Sequence, residues 1–219
     1  MQGLGGPHRM RRRTVAFGVL YLLAGITAGG LLSFILRSAH AATAGAGTTS
    51  HIAITAAAPL AKQVAPPFTL IDQNGAAVSL ASARGHVVLL TFMDPQCTLL
   101  CPVMGRDIGA LEKKLPATIQ PELLIVSVAA GRTEADVEKF LATESPGWSS
   151  GWHWLLGPSE AALKVAWARW HIAVIPTAGD INHDAVLNII DPSGNLRAVY
   201  PAPLAIDDVV HAITTIAHA

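Results

Sequence analysis

Residues 91–102 have the sequence TFMDPQCTLLCP and join an apolar run to a stretch with helical periodicity. They hold both cysteines of the 219-residue chain, Cys97 and Cys101, with three residues between them. Pro102 has no backbone N–H and is tolerated in a helix only in the first turn, so the helix should begin near residues 98–101. We therefore predict a pair of thiols at the point where a strand gives way to a helix.

The start of a helix changes the chemistry of a thiol. Unpaired backbone N–H groups and the positive end of the helix dipole lower its pKa, and the resulting thiolate is both nucleophile and metal ligand. If the helix reached back to Cys97, the two Cβ atoms would lie about 5–6 Å apart, against roughly 3.5–4.5 Å in a disulfide. A metal site and a redox-active disulfide both remain open. A structural disulfide is disfavoured because it would close a very small loop.

The N-terminal region has the composition of a membrane anchor. Residues 1–13 carry an arginine cluster, and residues 14–36 contain no charged side chain. About 20 apolar residues span a bilayer, and the basic flank stays in the cytoplasm. We predict a cytoplasmic tail at 1–13 and a transmembrane helix at 14–37, with the remainder exported. A cleaved signal peptide ending near Ala41 is the alternative.

The rest of the chain divides into a linker and one domain. Residues 38–61 are rich in Ala, Thr and Gly, which predicts a flexible linker whose histidines, His40 and His51, are solvated. Residues 62–219 are enough for a single domain with its own core. Acidic and basic residues balance at fifteen each, which gives no charged surface for nucleic acid.

Strand and helix patterns alternate within this domain. Strands are predicted in a hairpin at 68–80, at 86–92, 122–130 and 153–156, and in a second hairpin at 186–200. Helices are predicted from Cys101 to 115, and at 133–143, 159–170 and 206–219. Such an order predicts a mixed sheet covered by helices on both faces. With the dithiol where the first central strand enters its helix, the prediction is a thioredoxin-like α/β fold preceded by the transmembrane helix.

Several stretches together resemble the Sco/SenC family. They are FTLIDQNG at 68–75, the strand ending at Phe92, Cys97-x-x-x-Cys101-Pro102, HWLLG at 153–157, and His183 before IIDPSG at 189–194. The resemblance extends from about residue 62 to the C-terminus, and an ordinary thioredoxin has two residues between its cysteines, not three. It implies a membrane-tethered, thioredoxin-like copper protein that helps to assemble the copper centre of cytochrome oxidase.

Carried over to this sequence, the resemblance implies that Cys97, Cys101 and His183 are the metal ligands and that no residue is catalytic. Thiolates select Cu(I), and imidazole suits both copper states, so the expected cofactor is copper as Cu(I) or Cu(II). The implied partner is the copper-bearing subunit of cytochrome c oxidase or another copper chaperone. The implied location is the inner membrane, with the domain in the periplasm.

Two positions depart from the family pattern. Asn182 replaces the acid that usually precedes the ligand histidine, and Asp184 follows it instead, so what orients the imidazole is open. Asp94, before the cysteines, could raise a thiol pKa by repulsion or receive a positive group of a partner. Other residues near the motif are given ordinary roles: core packing for Met93 and Met104, and a loop position for Pro176.

Two functions from different classes fit these residues. A copper metallochaperone needs both cysteines and His183, whereas a periplasmic thiol–disulfide oxidoreductase needs only the Cys97–Cys101 pair as a redox-active disulfide. A binding module with a structural disulfide is a third possibility. The copper assignment requires that folding bring His183 close to the two sulfurs.

Overall fold

A computed structural model describes residues 63–144, 146–149, 151–177 and 180–218. Its strands in chain order are β1 (Gln63–Val64), β2 (Thr69–Ile71), β3 (Ala77–Ser79), β4 (Val88–Met93), β5 (Glu122–Ser127), β6 (Trp152–Leu155), β7 (Val174–Thr177), β8 (Asp180–His183), β9 (Val186–Ile190) and β10 (Asn195–Pro201). The helices within these ranges are α1 (Leu100–Glu112), α2 (Glu134–Glu144), α3 (Glu160–Arg169) and α4 (Ile206–Ala217).

Six strands form the central sheet in the order β1-β10-β9-β4-β5-β6. The pairs β4–β5 and β5–β6 are parallel, and the pairs β4–β9, β9–β10 and β10–β1 are antiparallel. Parallel neighbours need long crossover connections, which the helices α1 and α2 supply. The predicted mixed sheet is therefore confirmed.

Strand β4 is buried along its whole length because both faces of the sheet are covered. Leu89 and Met93 face a core shared with α1, α2 and α4. Val88, Leu90 and Phe92 face a second core, formed with α3 and the β2–β3 hairpin. A strand covered on both sides has a continuous run of apolar residues, and this run is what predicted β4 from the sequence.

Most predicted elements lie where the sequence placed them, but the short strand β1 and one pair of strands were missed. Residues 174–177 and 180–183 form a two-stranded antiparallel ribbon, β7–β8, outside the central sheet. The prediction that Pro176 lies in a loop is wrong, since Pro176 belongs to β7 and pairs with Ile181. Trp154 and Trp167 are buried.

The predicted transmembrane helix at 14–37 and the linker at 38–61 lie outside the described residues. Within the part of the chain that the structure does describe, none of the helices combines the length and the apolarity that a bilayer crossing requires.

The pairing of β4 with β9 positions the functional region. It sets Thr91, near the carboxyl end of β4, opposite Leu187, near the start of β9. The hydroxyl of Thr91 donates to the carbonyl of Val186 over 2.9 Å, which ties the two strands at this edge. The residues that follow β4 and those that precede β9 therefore meet at the same edge of the sheet.

Gly109 of α1 provides a test of the packing under this edge. A Cβ added there would contact the carbonyl oxygen of Pro146 and lie 2.9 Å from its carbonyl carbon, whereas one added at Gly105 meets nothing closer than 3.5 Å. We expect Gly109→Ala to lower the free energy of unfolding by about 1–3 kcal/mol through overpacking. Gly105→Ala should be neutral or raise it by up to about 1 kcal/mol through helix propensity. Urea denaturation of both variants checks this; equal stability would contradict it.

Candidate metal centre

The two cysteines lie at the start of α1, as the sequence predicted. The helix begins at Leu100, so Cys101 is in its first turn and is 2% exposed. Cys97 precedes the helix and is half-buried, and its N–H donates to the carbonyl of Asp94 over 3.1 Å. Both thiols are free. One sulfur is therefore accessible from solvent and the other is enclosed.

His183 lies close to both sulfurs. It is the last residue of β8, not part of a loop, and its Nε2 is 3.5 Å from Cys101 Sγ. An interaction with Cys97 contributes to the raised pKa of His183 and to the lowered pKa of Cys97. The structure thus brings together all three side chains that the sequence proposed as ligands, across 82 positions of the chain.

The imidazole is oriented by main chain and not by an acid before it. His183 Nδ1 is 3.1 Å from the carbonyl oxygen of Asp184, and Asn182 is exposed. A proton on Nδ1 shared with that carbonyl leaves Nε2 free to face the sulfurs. The carboxylate of Asp184 accepts the N–H of Ala173 over 2.8 Å, which ties the base of the β7–β8 ribbon together.

Asp94 has a partner within the chain. Its carboxylate is nearly buried and is held by a forked pair from Arg132, in which Nε–Oδ1 and Nη2–Oδ2 are both 2.7 Å. This does not favour the idea that Asp94 receives a positive group of another protein. The alternative was that Asp94 raises the pKa of a nearby thiol by repulsion. The direction of that effect agrees with the structure, because the charge of Asp94 makes a minor contribution to the raised pKa of Cys101. Sequence reasoning missed Arg132, although a buried acid beside a functional motif needs a counter-charge.

The pKa values of the two thiols are shifted in opposite directions. A hydrogen bond from Cys101 lowers the pKa of Cys97 to about 4, against the opposing effect of burial and with help from His183. The same hydrogen bond, together with burial, raises the pKa of Cys101 above its ordinary value. At neutral pH, Cys97 is therefore the thiolate and Cys101 the thiol that donates to it.

The histidine responds to the same thiolate. Burial acts to lower the pKa of His183, but the hydrogen bonds to Cys97 and to the carbonyl of Asp184 offset this and raise the pKa overall. An imidazole with a raised pKa keeps its proton to a higher pH than usual, so a metal ion at Nε2 competes with that proton.

The donor set fits a soft monovalent metal ion better than a hard one, because it offers two sulfurs and one imidazole nitrogen. Among the residues that the structure describes, no group of three or more His, Cys, Asp or Glu side chains is arranged to hold a metal ion. Met93 and Met104 are buried in the core, as predicted. Metal binding at the three converging side chains therefore requires them to reorient from this arrangement.

The reactivity of Cys97 tests these electrostatics. Because the thiolate is already present above about pH 4, alkylation of Cys97 by iodoacetamide should be nearly independent of pH between about 5 and 8. An ordinary thiol would react about tenfold faster per pH unit over this range. Cys101→Ala removes the hydrogen bond and should restore part of that pH dependence. Mass spectrometry of the reduced, metal-free protein measures the rates, and an ordinary thiol profile for the unaltered protein would contradict the assignment.

Comparison with known proteins places this geometry in a family. The sequence model described as SCO1/SenC matches residues 56–218. The SCO1 protein homolog of Bacillus subtilis (strain 168) is 29% identical over 138 residues, which cover 61% of this chain and 72% of that protein.

Solved structures agree with the sequence comparison. The structure of BsSco, described as a member of the Sco family of cytochrome c oxidase assembly proteins with a disulfide switch, is 26% identical with a TM-score of 0.61 and covers 72% of this chain and 95% of that one. Copper-bound ScoI of Bradyrhizobium japonicum is 21% identical with a TM-score of 0.59, and the match covers 70% of this chain and 99% of that one. A likeness at this level of identity shows the fold alone. The fold is therefore the thioredoxin-like α/β fold predicted from the sequence, and the chain belongs to the SCO1/SenC family.

Proposed function

We propose that this protein is a copper metallochaperone that binds copper through Cys97, Cys101 and His183 and delivers it to the copper centre of cytochrome c oxidase during assembly. The observation that carries the proposal is the 3.5 Å approach of His183 Nε2 to Cys101 Sγ. A redox dithiol does not need an imidazole there, whereas a copper site does. Membership of the SCO1/SenC family and the copper-bound relative support it.

Each side chain has a distinct part in copper binding. The Cys97 thiolate is accessible and already deprotonated, so it is the natural first ligand for an incoming Cu(I) ion. Cys101 loses its proton as it binds, since a metal-bound thiol is deprotonated. Neutral His183 supplies Nε2 while its Nδ1–H donates to the carbonyl of Asp184. Two thiolates and a neutral imidazole give the Cu(I) site a net charge of about −1.

Copper titration of the reduced protein under anaerobic conditions tests the ligand set. We expect about one Cu(I) per chain, and loss of binding when either cysteine is replaced by serine. His183→Ala should weaken affinity at least about tenfold, because loss even of a ligand's supporting partner costs 10–100-fold.

His211→Ala is the matched control for this titration. His211 is an exposed histidine on α4, so its loss should leave copper affinity unchanged. Equal affinities for the unaltered protein, His183→Ala and His211→Ala would contradict the assignment of His183 as a ligand.

Delivery requires a separate test. The copper-loaded protein is mixed with the metal-free copper domain of a cytochrome c oxidase subunit, and copper on each protein is measured after separation. Transfer from the unaltered protein but not from His183→Ala loaded with the same amount of copper supports delivery. If the protein binds copper tightly but transfers none, the proposal of copper binding stands and the proposal of delivery is rejected.

One observation favours a second function, thiol–disulfide exchange. The accessible Cys97 thiolate can attack a substrate disulfide to form a mixed disulfide and release one substrate thiolate. Buried Cys101 can then lose its proton and attack Cys97 Sγ, which releases the second substrate thiol and leaves the Cys97–Cys101 disulfide. The two electrons must be restored by an external dithiol reductant.

The two functions differ in their dependence on His183. Reduction of a disulfide substrate, coupled to an external dithiol, should survive His183→Ala if exchange is the function, whereas copper affinity should not. An inert disulfide with a strongly negative reduction potential would exclude exchange.

We also propose that residues 14–37 anchor the protein in the inner membrane and that residues 38–61 link them to a periplasmic domain at 62–219. The uncharged run behind a basic N-terminus supports this arrangement. Membrane fractionation and accessibility of the domain to protease in spheroplasts test it.

A further inference from the structure

Asp94 contacts both cysteines through its main chain. Its N–H donates to Cys101 Sγ over 3.4 Å, and its carbonyl accepts the N–H of Cys97 over 3.1 Å. The placement of this one residue therefore helps to set the position of the Cys101 sulfur and of the Cys97 main chain relative to the end of β4.

The carboxylate of Asp94 is in turn held by hydrogen bonds from Arg132 and from the main chain of Gln96. Arg132 donates to both carboxylate oxygens, and Oδ1 also accepts the N–H of Gln96 over 3.0 Å. A forked guanidinium–carboxylate pair fixes orientation as well as distance, which a single charge contact does not. Asp94 is 3% exposed, so water does not replace these contacts.

A second contact joins the same two segments. The amide of Gln96 donates to Asp136 Oδ1 over 2.9 Å, and Asp136 Oδ2 accepts the N–H and hydroxyl of Thr133 at the start of α2. Residues 132–136 therefore clamp residues 94–96, immediately before the first cysteine, at two points. Arg132, whose side chain is 22% exposed, supplies the charged point of that clamp by pairing with the buried carboxylate of Asp94.

We propose that Arg132 is a positioning residue for the dithiol, which acts through Asp94 to hold Cys97 and Cys101 in their present arrangement. Arg132 touches neither sulfur in the contacts that the structure gives it, so its effect is transmitted by the Asp94 backbone. The inference concerns the dithiol itself and holds whether the cysteines carry copper or exchange disulfides.

The physical consequence of losing Arg132 follows from burial. A carboxylate left without its counter-charge in a buried position is strongly disfavoured and turns toward water. That movement carries the Asp94 N–H away from Cys101, and the negative charge of Asp94 is no longer compensated by Arg132. Both effects disfavour the reduced pair relative to the disulfide.

The test is the reduction potential of the Cys97–Cys101 pair, measured without metal in dithiol redox buffers. Arg132→Gln should make the potential more negative by about 30 mV, a tenfold change in the dithiol–disulfide equilibrium for two electrons. Arg132→Lys keeps the charge but loses the fork and should shift it less.

Arg106→Gln is the matched control. Arg106 on α1 pairs with Glu144 on α2 over 2.8 Å, so this variant removes another arginine–carboxylate contact between neighbouring elements. It should leave the potential unchanged. If Arg132→Gln also altered only the unfolding free energy and left the potential unchanged, the proposal would be overturned.

A double-mutant cycle with Asp94→Asn tests the route of action. In the Asp94→Asn background no buried carboxylate remains to be held, so Arg132→Gln should change the potential much less than it does in the unaltered protein. An equal shift in both backgrounds would overturn action through Asp94. If Arg132→Gln alone does not fold, the Arg132→Lys shift and the double variant, which carries no unpaired buried charge, decide the question.

Discussion

The antiparallel pairing of β4 with β9 is the constraint on which the candidate site depends. It brings the carboxyl end of one strand and the amino end of the other to one edge of the sheet, and Thr91 closes that edge with a hydrogen bond to Val186. The cysteines follow β4, and the β7–β8 ribbon with His183 precedes β9. Backbone ladder bonds between buried strands are costly to break, because each unpaired group would lose its partner away from water. The meeting of sulfur and imidazole is thus a consequence of sheet topology.

Charge is distributed unevenly over this edge, and the imbalance gives the two cysteines different chemistry. Burial and a shared hydrogen bond keep Cys101 protonated while Cys97 is ionised. A buried carboxylate would be unfavourable alone, and Arg132 compensates Asp94 through a forked pair of hydrogen bonds. The half-buried Cys97 thiolate can be reached by an incoming ion or a disulfide, while the buried Cys101 thiol is placed for the second step. The same asymmetry therefore suits both the proposed copper capture and the proposed thiol exchange, and only the first of these needs the imidazole of His183.

The sequence predicted what periodicity and burial make visible, and it missed what they do not. Strand β4 and the helix from Leu100 were predicted closely, because an apolar run and a proline in the first helical turn are strong local signals. The β7–β8 ribbon was missed because β7 is largely exposed and contains Pro176, so it has neither an alternating pattern nor an uninterrupted strand composition. The partner of Asp94 was missed because pairing between residues 38 positions apart leaves no local trace.

The sequence by itself determined the chemistry available to this protein: two thiols at a helix start, one candidate imidazole, and family motifs that imply copper. It determined these because helix initiation and ligand softness are properties of neighbouring residues and of the side chains themselves. Only the tertiary structure decided which of the two cysteines is the less buried, that Asp184 orients His183 through its carbonyl, and that Arg132 neutralises Asp94. Those relations join segments far apart in the chain, and they exist only once the sheet has placed its strand ends side by side.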